Sequence, residues 1–328
     1  MTQKSPSRPK LLSLFSGCGG MDLGFVQAGY EVVWANDVNE WAAKTYVHNF
    51  GDHMRLGSIA DIDLKTLPSA DIITGGFPCQ DFSMISKRGG IETERGNLYT
   101  HFVQAVSIVK PKVFIAENVK GLMTANGGQA LKQITEDFRH VGYDLDVKVY
   151  NFANYGVAQL RERVLIVGIR RDLDYKYSPP PHTHAPGTYV SSGDALAGVE
   201  VVTANNEHQS IKDKTRQILE LIPEGKNFSA IDPAHPLYVK GMISHVYRRL
   251  DRTKPSTTII AGGGGGTWGY HFSEPRPLTN RERARLFGYP DDFLFIGSIT
   301  EVRRQIGNSV PPVAARRIAE HLLPVFAP

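Results

Sequence analysis

The sequence predicts an α/β protein built on a doubly wound, mostly parallel sheet, followed by a smaller, irregular region. Three observations predict it. Short apolar runs recur through the first half, each ending at glycine or a turn residue. Segments with helical spacing separate them. Near Asp172 this texture stops.

Taken in order, residues 11 to 15 (LLSLF) read as a buried strand that enters a glycine cluster, and Met21 to Gln27 as a helix that Gly29 ends. Glu31 to Ala35 gives a second strand, followed by Asn36 and Asp37. This β–loop–α–β unit opens a doubly wound sheet. Residues 70 to 76 (ADIITGG) repeat the strand pattern, a helix spans 98 to 110, and VFIAEN (113 to 118) is the next strand. A helix over 129 to 141 and strands over 144 to 151 and 164 to 169 complete the pattern. Ser178 to Pro186, rich in Pro and His, reads as a linker. Residues 278 to 288 (LTNRERARLFG) predict a helix capped by Thr279 or Asn280, and a last helix spans 311 to 323. The predicted regions are 1–175, 176–275 and 276–328, the last returning to the first.

Composition bounds the function classes. Of 328 residues, 41% are apolar and 21% charged, which suits a packed core and argues against disorder. The excess of 37 Lys plus Arg over 33 Asp plus Glu is compatible with a nucleic-acid partner without indicating one. Two cysteines, Cys18 and Cys79, are too few for a disulfide scaffold and point to a reducing compartment. No Cys/His metal pattern is present, so no metal is expected. No run of about 18 apolar residues predicts a membrane span.

Four strand ends, and one segment leading into a strand, carry chemistry-bearing residues. The loop from Phe15 to Gly20 lets a ligand approach the backbone at a helix N-terminus, and Asp37 is placed for ribose hydroxyls. The dinucleotide pattern G-x-G-x-x-G fails, because its third glycine falls at Asp22; an ordinary tight turn reads the same residues equally. Gly75 to Ser83 follows a strand and holds Cys79 behind Pro78; alone, Cys79 reads more readily as a buried structural cysteine than as a nucleophile. Glu117 to Val119 ends the next strand, and Gln159 to Arg163 precedes another.

In this order, Pro-Cys-Gln, Glu-Asn-Val, Gln-x-Arg-x-Arg and Gly-Asn-Ser-Val (residues 307 to 310) make the chain resemble the bacterial C5-cytosine DNA methyltransferases of restriction–modification systems. The likeness spans nearly the whole chain except about 172 to 275, where the family's target-recognition region varies. It implies the S-adenosylmethionine-dependent methyltransferase fold. It implies S-adenosylmethionine as methyl donor, S-adenosylhomocysteine as product, and a flipped-out cytosine in a short duplex DNA site as substrate. It assigns Cys79 as nucleophile, Glu117 to ring nitrogen 3, and Arg163, with Arg161 close by, to the cytosine carbonyl. It assigns Phe15, Gly17, Gly20, Met21, Asp37, Ile59, Pro78, Leu98 and Asn308 to the cofactor. One departure stands out: many relatives carry Gly-Asp-Ile where this chain has Gly57, Ser58 and Ile59, so either Ser58 or Asp61 would meet the adenine amino group.

The segment from Ser86 to Gly90 has glycine hinges and two cations, Lys87 and Arg88; with Ser83 it reads as a DNA-closing loop or as a plain surface loop. Lys240 to Lys254 holds five Lys/Arg and one acid. It reads as a phosphate-contacting patch, with Arg248, Arg249 and Arg252, or as a solvated face. Thr258 and Ile259 resemble the Thr–aliphatic pair of recognition domains. Further implications are a monomer, a cytoplasmic site of action on nucleoid DNA, and a separately acting cognate restriction endonuclease. Two rivals remain: a transfer-RNA cytosine methyltransferase, weakened by the lack of a third cysteine, and an inactive DNA-binding relative.

Overall fold

The computed structural model describes residues 8–78, 98–241, 246–262 and 269–327. Cys79, Ser83, Lys87 and Arg88 lie outside the described residues, as does most of the Gly262 to Gly266 run.

The described chain forms two compact units. The first comprises residues 1–151, 162–181 and 314–328; the second comprises 152–161 and 182–313. These units divide the chain differently from the sequence boundaries. Residues 152–161 leave the first unit because Gln159 bridges to Ser256, and Leu160 N–H donates to the Ser256 carbonyl at 2.8 Å.

The first unit carries a seven-stranded sheet. Its strands are β1 (Lys10–Leu14), β2 (Glu31–Asp37), β3 (Met54–Leu56), β4 (Ile72–Gly75), β5 (Val113–Val119), β6 (Tyr143–Asn151) and β7 (Glu162–Arg170), in the order β3-β2-β1-β4-β5-β7-β6. The strands from β1 to β5 pair in parallel, whereas β7 runs antiparallel to both β5 and β6. Strand order reverses at β1, which lies between β2 and β4, and ligands of open α/β sheets bind beyond the carboxyl ends at such a point. Because β7 is reversed, its first residues share that edge: Val119 is opposite Arg163.

Helices cover the sheet. They are α1 (Gly20–Gln27), α2 (Glu40–Phe50), α3 (Leu98–Val109) and α4 (Gln129–His140). The sequence reading missed α2, whose Asn39 cap accepts the Ala42 N–H at 2.8 Å and whose Ala42, Ala43, Thr45 and Tyr46 are buried. Leu12, Leu14, Ile73, Phe102, Phe114, Phe138 and Ile166 form the core, where Phe114 stacks on Phe138 at 4.1 Å. Fully burying each such side chain contributes roughly 1.5–3 kcal/mol.

Among its described residues the second unit has isolated bridges rather than a sheet, short 3-10 turns, and the helices α5 (Ser192–Leu196), α6 (Asp213–Glu220), α7 (Asn280–Phe287) and α8 (Ile299–Asn308). Thr279 caps α7 in a reciprocal box with Glu282, and Gly288 ends it in a left-handed conformation. The helix α9 (Pro312–Leu322) carries the chain back into the first unit at Ala314. Among the described residues no helix is long and apolar enough to cross a membrane.

Candidate active site

The glycine loop lies at the carboxyl end of β1. Phe15 is half-buried with φ 53°, and Gly17 has φ 56° with open space where a Cβ would stand. Asp37, at the end of β2, holds this loop: its Oδ2 accepts the Gly17 N–H at 2.7 Å and its Oδ1 the Asn39 N–H at 2.8 Å. Burial pushes the Asp37 carboxyl above its ordinary range, against the pull of those N–H groups. The Val38 N–H also bonds this carboxyl, so three of its roughly four lone-pair directions brace the loop and one remains for a hydroxyl. Gly20 is buried as the first residue of α1, and Met21 is half-buried.

Asn36 joins this loop to the next. Its backbone carbonyl accepts from Ser16, and its Nδ2 donates to the carbonyls of Arg55 and Gly57. Ser58 Oγ accepts the Ala60 N–H at 3.2 Å as the cap of a short 3-10 turn, while Asp61 is exposed. Ile59 departs from its expected cofactor contact: it is buried in the core with Phe102 and Leu122, because the 3-10 turn points it inward. Leu98 opens α3 and packs against the same core, and Pro78 is exposed as the last described residue before Cys79. Asn308 belongs to the second unit, exposed at the end of α8.

At the carboxyl end of β5, Glu117 Oε1 meets Arg163 Nε at 2.9 Å, with the two side chains only 12% and 15% exposed. Register explains the pairing, since Val119 lies opposite Arg163 and Glu117 is two residues back along the same face. Gly76 lies against this pair: a Cβ there would be 2.9 Å from Glu117 Oε2. Asn118 is buried, and its Nδ2 donates to the Phe77 carbonyl at 3.0 Å, two residues before Cys79. The Glu-Asn-Val strand end thus presents a carboxylate on one face and anchors the approach to the cysteine on the other. The sequence reading missed the roles of Gly76 and Asn118, although both stand inside motifs it used.

Arg161 does not join Arg163. It is 1% exposed within the second unit, where it donates to the carbonyls of Ile259 (3.2 Å), Gly307 (2.9 Å) and Ser309 (3.1 Å) and lies over the Phe287 ring. Gln159 Oε1 accepts the Ile259 N–H at 3.0 Å, and Thr258 Oγ1 donates to the Leu160 carbonyl at 2.7 Å. In the structure the Gln-x-Arg half of the motif therefore binds the segment around Thr258.

The expected basic patch is largely turned inward or neutralised. Arg249 is buried and donates to the carbonyls of Leu219, Ile222, His271 and Phe272, so it is not available to a phosphate. Arg252 is exposed but pairs with Glu224 at 3.0 Å and lies over Phe272; that contact holds the Glu224 carboxyl below its ordinary range. Lys254 pairs with Asp251 at 3.0 Å, and Arg248 is half-buried.

Known proteins supply the frame for this geometry. A type II methyltransferase of Neisseria gonorrhoeae, M.NgoFVII, is 58% identical over 331 residues, covering 98% of this chain and 88% of its own. The type II methyltransferase M.BbvI of Brevibacillus brevis is 41% identical over 339 residues, covering 96% and 90%. The solved methyltransferase EhMeth of Entamoeba histolytica shares the fold with a TM-score of 0.73 at 16% identity, over 98% of this chain and 100% of its own. The model of the C-5 cytosine-specific DNA methylases matches residues 9–323. The chain belongs to the C-5 cytosine-specific DNA methylase family.

Proposed function

We propose that Cys79, Glu117 and Arg163 carry out this family's methyl transfer on a cytosine rotated out of a short, specific DNA site, as the modification half of a restriction–modification system. The observation that carries the reading is the Glu117–Arg163 pair beside Gly76, at the strand end that leads into Cys79.

Carbon 5 of cytosine is a weak nucleophile until electrons are pushed into the ring. The Cys79 thiolate adds at carbon 6, and Glu117 delivers a proton to ring nitrogen 3 as negative charge builds there. Arg163 orients Glu117 and stabilises the carbonyl oxygen of the adduct. Carbon 5 then forms its bond to the methyl group as the bond between that methyl and the donor sulfur breaks, and ring nitrogen 3 returns its proton to Glu117. Loss of the carbon 5 proton to a base returns the electron pair, and the thiolate leaves.

The family uses S-adenosylmethionine, which supplies an electrophilic methyl group when bound. The residues of the first unit fit it. The space at Gly17 is open, the half-buried Asp37 carboxylate retains acceptor capacity for a ribose hydroxyl, and Ser58 offers a hydroxyl where relatives carry an acid. Phe15, Gly20, Met21, Pro78 and Leu98 complete the proposed donor contacts within the first unit, with Ile59 supporting the turn from beneath. Arg161 acts by holding the Thr258 segment and the end of α8 rather than by touching the base. Contacts to DNA fall to Arg248, Thr258 and the segment carrying Ser83, Lys87 and Arg88.

Expression in a host lacking the modification, followed by bisulfite sequencing, tests the reading. One protected cytosine within a recurring short motif is expected. Folded protein that leaves every cytosine unprotected, or a Cys79→Ser variant that still methylates, overturns it.

A further inference from the structure

Asp22 stands in the first turn of α1 and is 1% exposed, yet the chemistry above makes no use of it. One carboxylate oxygen accepts the Ser13 hydroxyl of β1 at 2.8 Å, and the other accepts the Tyr46 hydroxyl of α2 at 2.7 Å. A single side chain thereby fastens the three elements that frame the glycine loop.

Tyr46 also shapes that loop directly. Its ring lies 4.5 Å from Phe50, and the two rings close against Gly19. A Cβ at Gly19 would stand 2.3 Å from Phe50 and 3.1 Å from Tyr46, and its φ of 89° already excludes most side chains. How closely the loop settles on α2 is thus set by the paired Phe50 and Tyr46 rings, and the hydroxyl of the Tyr46 ring is held by Asp22.

A charge is a costly way to make such a tie. Burial pushes the Asp22 carboxyl up to about 6, although both hydroxyls pull it down. A neutral amide has nearly the same shape but accepts from one hydroxyl and donates to the other. Only the ionised acid draws both hydroxyls in as donors. Groups that cost stability in this way cluster where function requires them.

We propose that Asp22 is a positioning residue for the methyl donor: bonded to Ser13 and Tyr46, it holds Gly17 to Gly20 and the start of α1 at the height the donor requires. The inference rests on the donor reading of this crevice.

The test compares wild type with Asp22→Asn and Tyr46→Phe. S-adenosylhomocysteine binding is measured by calorimetry, alongside steady-state methylation. Both variants should weaken S-adenosylhomocysteine by about tenfold and raise the KM of the methyl donor in step, with kcat at saturation and the KM for DNA within about twofold. Asp22→Asn should do so without losing stability at neutral pH, which a purely structural hydrogen bond would not allow. Unchanged S-adenosylhomocysteine affinity in folded Asp22→Asn overturns the proposal, as does a fall in kcat at unchanged KM. If either variant fails to fold, Ser13→Ala removes one bond alone and is read by the same criteria. Wild-type protein that does not bind S-adenosylhomocysteine overturns the donor reading itself.

Discussion

Replacing Arg161 with Leu should act by destabilising the fold rather than by removing a group that touches the base. The guanidinium is 1% exposed and donates to three carbonyls, those of Ile259, Gly307 and Ser309, while lying 5.0 Å from the Phe287 ring centre. Each hydrogen bond from a charged donor contributes roughly 1.5–3 kcal/mol, and the ring contact adds about 1–2 kcal/mol. Against this, removing a buried guanidinium recovers several kcal/mol of desolvation. Leucine restores some apolar packing but leaves the three carbonyls without this donor. The balance is a loss of about 4 kcal/mol, which for a unit of this size lowers the melting temperature by roughly 10 °C. Thermal unfolding followed by circular dichroism measures it, with Arg161→Lys expected to fall between the two because an ammonium cannot match the planar fork. A folded Arg161→Leu protein melting within about 2 °C of wild type would refute the assignment of this arginine as a strut.

Three further outcomes follow from the same geometry. Arg163→Lys keeps a cation beside Glu117 but loses the fork, so single-turnover methylation should slow by about a hundredfold while urea unfolding shifts by no more than about 1 kcal/mol. Gly76→Ala places a Cβ about 2.9 Å from Glu117 Oε2, forcing the carboxylate aside; kcat should fall at least about tenfold with both KM values retained. Asp22 carries a signature in pH. Its folded pKa of about 6 lies above the ordinary value of 3.8 for an aspartate, so its contribution to stability is full below about pH 4 and is lost as pH rises through 6. That loss amounts to about 3 kcal/mol, and Asp22→Asn removes it. The variant should therefore gain on wild type in urea unfolding between pH 4 and about 7, and parallel curves across that range would contradict the burial cost.

What the sequence made legible follows from distance along the chain. Buried parallel strands are short apolar runs, so LLSLF and VFIAEN announce themselves, and the residues at their ends share one edge of the sheet by topology alone. The three residues of β3 carry too little pattern to be seen, and the polar stretch from Glu40 to Phe50 hides α2 behind a modest apolar face. The arginines show a deeper limit. Arg161 and Arg163 read as a pair because they stand two residues apart in one motif, but β7 begins only at Glu162, between them. Arg161 therefore belongs to the preceding turn and is held by carbonyls 98 to 148 positions further along the chain. Arg249 repeats the case: its charge run looks like a phosphate surface, yet four carbonyls folded around it take its donors. Composition reports that a cation is present, whereas its direction is decided by which carbonyls the fold leaves in need of a donor. Asp22 is the acidic counterpart. An acid in the first turn of a helix is what any exposed helix would show; burial makes this one costly, and the hydroxyls that hold it inward come from Ser13 and from Tyr46, 24 residues away. The motifs thus locate the reaction, while long-range hydrogen bonds decide which of their charged residues face the substrate and which hold the scaffold that presents it.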